Sequence, residues 1–316
     1  MCTAISIGSF SGRNLDVDKG YGEELIITPR GYTLPFRKAD NIPEHPAFIG
    51  IGAVKRGYPL YFDAVNEHGL YIAGLNYVAN AHYLPGSSDK INLAPYELIP
   101  YLLAKCRSTE EARSALSGIN LVNIPFSRDL PVSELHFFIA DKSSSITVEP
   151  DQDGISIHDN PVGVLSNNPQ FPYHMHNLNN YVGLSNEPLS NRLSNKIPFN
   201  SYSAGLGALG LPGDLSSQSR FVRAAFHKLN YKYSGDPCDI FHLLSTVEMP
   251  DGSLRLGDSF ERTEYTAAVD LEKLIYYFRS YKSLSVSCVS LFNEEVSANT
   301  LKTFPLESSD DIRHLN

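Results

Sequence analysis

From the second residue onward the chain alternates polar and apolar positions: Thr3-Ala4-Ile5-Ser6-Ile7 is a period-two, β-branched run that predicts a strand. Strand signals follow at 24–28, which ends before Pro29, at 47–51 and at 70–76. Between Ala94 and Cys106 the spacing becomes helical, and Ser108 with Glu111 reads as a capping-box start for a second helix through Ala112, Leu116 and Ile119. Strand patterns return at 135–140, 145–149 and 162–166, helical ones at 219–229 and 239–247, and strands again at 265–269, 274–278 and 284–289. Blocks of strands broken by paired helices predict stacked sheets covered by helices, an α+β architecture, and not a strictly alternating parallel one. No internal repeat is found. The stretch 185–203 is rich in Asn, Ser and Pro and reads as a structured excursion inside one domain spanning residues 1–316, because the strands on both sides belong together.

Composition narrows the class of partner. With 26 basic against 35 acidic residues, net −9, the charge balance argues against a nucleic-acid or anionic-membrane partner, which would want a basic face. Cys2, Cys106, Cys238 and Cys288 form no CxxC pair and the ten histidines no HExxH, so neither a metal nor an organic cofactor is expected. There is no basic n-region ahead of an apolar stretch and no run of 18 apolar residues, which points to a cytoplasmic protein. Charged residues are sparse at 19%, in keeping with surface hidden in an oligomer. Gly205-Leu206-Gly207-Ala208-Leu209-Gly210 matches a dinucleotide-binding pattern by letter. It follows Ser-Tyr-Ser-Ala instead of a buried strand, however, and Pro212-Gly213 stands where the phosphate-binding helix should open. A tight glycine turn before the helix near Ser219 is the better reading. Tyr276-Tyr277-Phe278 is read as core.

The chemistry concentrates at the start. Removal of Met1 would place a thiol and a free α-amine on Cys2, a nucleophile carrying its own base, and the small side chain suits methionine aminopeptidases. Close behind it, Gly12-Arg13-Asn14-Leu15-Asp16-Val17-Asp18 brings a guanidinium that can stabilise a thiolate and two carboxylates that can hold an ammonium. Spacing does not choose between Asp16 and Asp18, and taken alone such a segment reads as a solvated turn.

Eight ordered segments resemble the choloylglycine hydrolase family of N-terminal nucleophile hydrolases, which contains bile salt hydrolases and penicillin V acylases. They are Met1-Cys2-Thr3, Gly12 to Asp16, Tyr58-Pro59, Asn66 to Leu70, Ala73 to Asn76, Val164 to Pro169, Gly210 to Asp214 and Ser219 to Phe221, and the match runs on to Leu315-Asn316. The resemblance implies an αββα sandwich, two antiparallel sheets packed face to face with helices outside, often assembled as a homotetramer. It implies roles residue by residue: Cys2 as nucleophile with its amine as base, Arg13 beside the sulfur, and Asp16 orienting the amine. Asn76 and Asn167 would build the oxyanion hole, and Arg220 would stand as a second arginine near the nucleophile. Amides and guanidinium groups suit that task because they stabilise oxyanion charge without exchanging protons.

The reaction implied is hydrolysis of a linear carboxamide through a thioester, with conjugated bile salts as substrate. Asn76, where penicillin acylases tend to carry Tyr, leans the substrate towards bile salts and away from penicillin V or acyl-homoserine lactones. A thiol redox sensor lacks an adjacent resolving cysteine, and a non-catalytic small-molecule-binding homologue is opposed by the intact polar set. Three departures bear on the pocket: a short connection between Cys2 and Gly12, no Trp (Phe137 and Tyr101 stand at the relevant places), and Lys55-Arg56 in a loop expected to line the substrate site.

Overall fold

The computed structural model describes residues 1–306 together with Ser308, Ser309, Ile312, His314 and Leu315; Asn316 of the closing motif lies outside the described residues. Two large antiparallel sheets dominate it. The first runs Val164–Leu165, Cys2–Ile7, Phe10–Val17, Ser259–Asp270, Ile275–Ser280 and Ser287–Ser290, with Leu254–Leu256 paired to the fourth of these. The second runs Gly154–Asp159, Ser145–Asp151, Leu135–Ala140, Tyr71–Asn76, Tyr58–Asn66, Phe48–Lys55, Glu24–Thr28 and Lys302–Pro305. The strand that begins at Cys2 is therefore internal, with a neighbour on each side.

The central strands of the second sheet are apolar along their whole length because both faces are covered. Leu25, Ile27, Ile49, Ile51 and Phe138 enter the core shared with the first sheet, whereas Ile26, Phe48, Phe137 and Ile139 enter a second core beneath the helix Leu98–Lys105. On the far side the helices Ser217–Leu229 and Cys238–Ser245 lie on the first sheet and contribute Phe221 and Ile240 to the shared core. The layers are thus helix, sheet, sheet, helix, the α+β sandwich expected. Phe137, fully buried at the position where a Trp was expected, fills the outer core, and its truncation to Ala would cost about 3–5 kcal/mol.

The short N-terminal connection is a hairpin closed by Gly8 and Ser9, with Ile7 facing Phe10 and Gly8 at φ 55°, a conformation that suits glycine at a tight turn. The segment 12–18 differs from its solvated-turn reading: Phe10–Val17 is a strand buried along its entire length. Its polar residues face interior partners, and Gly12 packs so close to the Ala267 carbonyl that an added Cβ would stand 2.1 Å from that oxygen. Among the elements that carried no usable sequence signal are the strand Tyr58–Asn66, the strand Gly154–Asp159 and the helix Phe171–Asn177.

The second helix begins as expected, with Ser108 accepting from the Glu111 amide at 3.2 Å, but the Glu111 carboxylate reaches back to Arg107 and not to Ser108. It stops at Leu116, and Ile119 belongs to a short strand paired in parallel with Ile91–Leu93. The glycine-rich segment is a single turn of 3-10 helix at Leu206–Ala208, as its context required. Lys55 and Arg56 sit at the end of the strand Phe48–Lys55 and its turn, and neither lines the cavity described below. Among the described residues no helix is long and apolar enough to cross a membrane.

Candidate active site around Cys2

Hairpin geometry brings the first charged residues to the nucleophile. In the antiparallel register Cys2 faces Leu15 and Ala4 faces Arg13, so the Arg13 side chain reaches back along the pair and donates from Nη2 to Cys2 Sγ at 2.6 Å. Its Nη1 donates to the carbonyls of Phe62 (2.9 Å) and Gly74 (2.7 Å) in the second sheet, which fixes the guanidinium at the junction of the two sheets. Burial opposes the Arg13 charge, yet the anionic groups around it, Cys2 first, hold its pKa above the ordinary value.

On the other side of the nucleophile stands Arg220, from the helix Ser217–Leu229, also without solvent exposure. It donates from Nη1 to the Cys2 carbonyl and to Thr3 Oγ1, both at 2.6 Å, and from Nη2 to Asn167 Oδ1 at 2.7 Å. Burial lowers its pKa, and Asp16, Cys2 and Glu261 pull the other way. Asp16 Oδ2 is 3.8 Å from Arg220 and otherwise has no hydrogen-bond partner, while Oδ1 accepts from Thr263 at 2.6 Å. An unpaired buried carboxylate oxygen beside the chain end is a seat for a donor. Asp18 lies away from this centre, exposed and bonded to Ser259. The register thus separates the two carboxylates that spacing left equivalent.

Asn167 links the groups. Its Oδ1 accepts from the Cys2 backbone nitrogen at 2.7 Å as well as from Arg220, and its Nδ2 donates to the Asn76 carbonyl at 2.7 Å. Two buried histidines hold the loop that carries it. His136 Nε2 donates to the Ser166 carbonyl and His174 Nε2 to the Asn167 carbonyl, each at 2.8 Å, and since a carbonyl only accepts, both nitrogens carry the proton. Met1 is present, its ammonium donating to the Asp16 carbonyl at 2.5 Å and to Glu261 Oε1 at 3.0 Å.

All six expected residues, Cys2, Arg13, Asp16, Asn76, Asn167 and Arg220, therefore fall in one cluster. Cys2 and Asn76 also line a cavity of about 210 Å³ whose remaining wall is mainly apolar and aromatic, including Leu15, Phe62, Ile99, Phe126 and Leu135. A larger hollow of about 540 Å³, near Thr109 and Lys228, contains none of the six. The sequence reading missed Thr263, Glu261, His136 and His174. Each reaches the site across more than a hundred residues or through a backbone carbonyl, which no local pattern encodes.

Comparison with known proteins agrees with this geometry. Residues 2–304 match the family model described as linear amide C–N hydrolases, choloylglycine hydrolase family. A bile salt hydrolase/transferase of Lactiplantibacillus plantarum is 48% identical over 316 residues, covering 98% of each chain. A conjugated bile acid hydrolase of Lactobacillus gasseri is 38% identical over 96% of this chain and 100% of its own. The C2A variant of conjugated bile acid hydrolase from Clostridium perfringens superposes with a TM-score of 0.94 at 32% identity over the full length of both chains. The fold is shared more distantly by a penicillin V acylase from Agrobacterium tumefaciens, with a TM-score of 0.74 at 21% identity over 96% of this chain and 90% of that one. The chain belongs to the choloylglycine hydrolase family of linear amide C–N hydrolases.

Proposed function

We propose that this chain hydrolyses the amide bond of conjugated bile salts, releasing glycine or taurine and the free bile acid. Cys2 is the nucleophile and its α-amine, freed by loss of Met1, is the base. The observation that carries the reading is the placement of Cys2 Sγ, bonded to Arg13, in the wall of an apolar cavity. The names of the relatives supply the substrate class. A steroid fills apolar walls, while its conjugated anion stays towards solvent.

In the proposed sequence the amine takes the thiol proton and the sulfur attacks the carbonyl carbon. Charge moves to the carbonyl oxygen, where the side-chain amides of Asn76 and Asn167 are assigned as donors. The C–N bond then breaks as the Cys2 ammonium returns its proton to the departing amine. Water, deprotonated by the same amine, cleaves the thioester and restores the thiol. Asp16 is assigned to the ammonium because its Oδ2 has no other hydrogen-bond partner, and Asn167 Oδ1 already accepts from the Cys2 nitrogen. Arg13 and Arg220 hold negative charge near the sulfur and the chain end. No metal or organic cofactor enters this scheme. We assign the whole of residues 1–316 to one domain working in the cytoplasm as a homotetramer. Leu193 and Tyr202, strongly exposed on the excursion 185–203, and Val182 and Leu209, strongly exposed on its flanks, support association.

Released glycine and taurine, measured against 6-aminopenicillanic acid released from penicillin V, test the substrate. The expected result is a higher kcat/KM for at least one conjugate, since discrimination is a difference in transition-state binding. A value for penicillin V equal to or above both conjugates would promote the acylase reading and overturn this one.

A further inference from the structure

Asp63 lies outside the group of residues that the sequence singled out, yet its neighbour Phe62 accepts from Arg13 and its charge acts on that guanidinium. It stands on the strand Tyr58–Asn66, has no solvent exposure, and accepts hydrogen bonds from three tyrosine hydroxyls. Tyr265 donates to Oδ1 at 2.5 Å; Tyr276 and Tyr71 donate to Oδ2 at 2.5 and 3.2 Å. Tyr71 belongs to the same sheet as Asp63, whereas Tyr265 and Tyr276 come from the opposing one, so the carboxylate ties the two layers together at depth. A hydroxyl donates only once, and three of them donating to one carboxyl favour its ionised form, which accepts at both oxygens. Burial pushes its pKa up, while Arg13 and the three hydroxyls oppose that.

Arg13 needs an anion. It is fully buried, and its hydrogen bonds go to the Cys2 sulfur and to the neutral carbonyls of Asn14, Phe62 and Gly74. Phe62 immediately precedes Asp63, so the same turn of strand that anchors the guanidinium carries the carboxylate. The charges of Cys2 and Asp63 both act on Arg13. A buried guanidinium without a counter-charge is costly. Under the cysteine mechanism, on which this argument rests, the sulfur is an anion only part of the time: once acylated it is a neutral thioester.

We infer that Asp63 is a positioning residue of the amide-cleavage site, the standing counter-charge of Arg13, held by a cage of three tyrosines drawn from both sheets. It keeps a negative charge near the guanidinium while the sulfur cycles between thiolate and thioester, so that formation of the acyl-enzyme does not strand a buried cation. Its charge also offsets part of the pull that Arg13 exerts on the thiolate. The other groups coupled electrostatically to Cys2 are Arg220, Tyr21 and Tyr71, with Asp16 and Glu261 acting on Arg220.

The test is Asp63→Asn in Met1-processed protein carrying Cys238→Ser and Cys288→Ser, which removes the two exposed thiols. Buried Cys106, whose thiol is pushed up to about 11, stays silent. Two quantities are read: the rate of Cys2 alkylation by iodoacetamide at mildly acidic pH, and kcat on a conjugate that the parent enzyme cleaves. With Asp63 neutral, the thiolate is the remaining anion for Arg13. Alkylation should rise about tenfold and kcat fall about tenfold, the factor carried by one pH unit of added thiolate stabilisation. Circular dichroism confirms folding. Should Asp63→Asn fail to fold, Tyr276→Phe removes one donor from the carboxylate and must move both rates in the same directions by a smaller factor. Alkylation that is unchanged or slower in folded variant protein, or an unchanged kcat, overturns the inference. Failure of the substrate reading appears separately, as a parent enzyme that releases neither glycine nor taurine, and the alkylation arm still decides the role of Asp63.

Discussion

At the scale of the residue, the site is a chain of groups that each do two things. Asn167 is the clearest: one amide accepts from the nucleophile's own nitrogen and from Arg220, and donates to the Asn76 carbonyl. Replacing it by Ala removes an assigned oxyanion donor together with the group that sets the direction of the Cys2 nitrogen. We expect kcat to fall by about 10²–10³, roughly 2.7–4 kcal/mol, with KM little changed. Steady-state kinetics on the preferred conjugate decide it, because a rise in KM at constant kcat would make Asn167 a ground-state binding group instead. Cys2, Arg13, Asp16, Asn76, Asn167 and Arg220, which the structure brings together, could be named from the sequence because they sit in short segments that carry the family resemblance. Asp63, Glu261 and His174 could not. Their importance comes from contacts made across the sandwich, and a lone Asp within Tyr-Phe-Asp-Ala looks like any strand residue.

At the scale of the element, the loop that carries Asn167 is held by the helix Phe171–Asn177, whose His174 lies buried, stacked on Phe221 with ring centroids 4.7 Å apart. Burial pushes the His174 pKa down to about 4, and its Nδ1 has no partner. The unfolded chain binds a proton near the ordinary value of about 6.5, so between pH 6.5 and 4 it holds more protons than the folded one. Stability therefore falls as pH drops through that window, by about 2–3 kcal/mol between pH 7 and pH 4.5. His174→Gln keeps a donor for the Asn167 carbonyl without the titration. Urea melts at the two pH values should show a loss smaller by that amount in the variant, and an equal loss in both proteins would remove His174 as the cause. Elements were legible where burial leaves a plain periodic trace. The strands at 24–28 and 135–140 and the helix at 98–105 read correctly because their faces are apolar. The strand Phe10–Val17 was misread because its interior positions are Arg13, Asn14 and Asp16: Arg13 is anchored on Phe62 and Gly74 in the other sheet, and the partners of Asn14 and Asp16 lie more than two hundred residues away in Leu244, Thr263 and Arg220.

At the scale of the whole molecule, stacked sheets covered by helices followed from the order of strands and helices and the antiparallel sandwich from the family resemblance, whereas strand pairing across the chain followed from neither. The first sheet joins residues 2–17 to 254–290, a contact that only three-dimensional closure creates. The excursion 185–203 is the opposite case, a surface element with Leu193 and Tyr202 more than four-fifths exposed. We expect light scattering after gel filtration to give the mass of a tetramer for the native chain. Leu193→Asp combined with Tyr202→Asp should give a smaller assembly, since a charge in an apolar contact must be desolvated to stay there. A native chain that elutes as a monomer would end the tetramer assignment.

Met1 is not a loose end. Its ammonium is tied to Glu261 and to the Asp16 carbonyl, and the strand it precedes has a partner on each flank. These bonds hold the chain end that an aminopeptidase must engage. Under the proposed mechanism, activation is therefore a race run while the chain is still being made: molecules that close the sandwich before losing Met1 are locked out for life. A batch produced faster than its aminopeptidase can keep up should contain a fixed inactive fraction, equal to the Met1-bearing fraction by intact mass. Adding methionine aminopeptidase to the folded batch should leave that fraction dormant. Unfolding it in the presence of a denaturant-tolerant aminopeptidase and then refolding should bring it to life, and prompt activation without unfolding would show that the end is freer than its bonds imply.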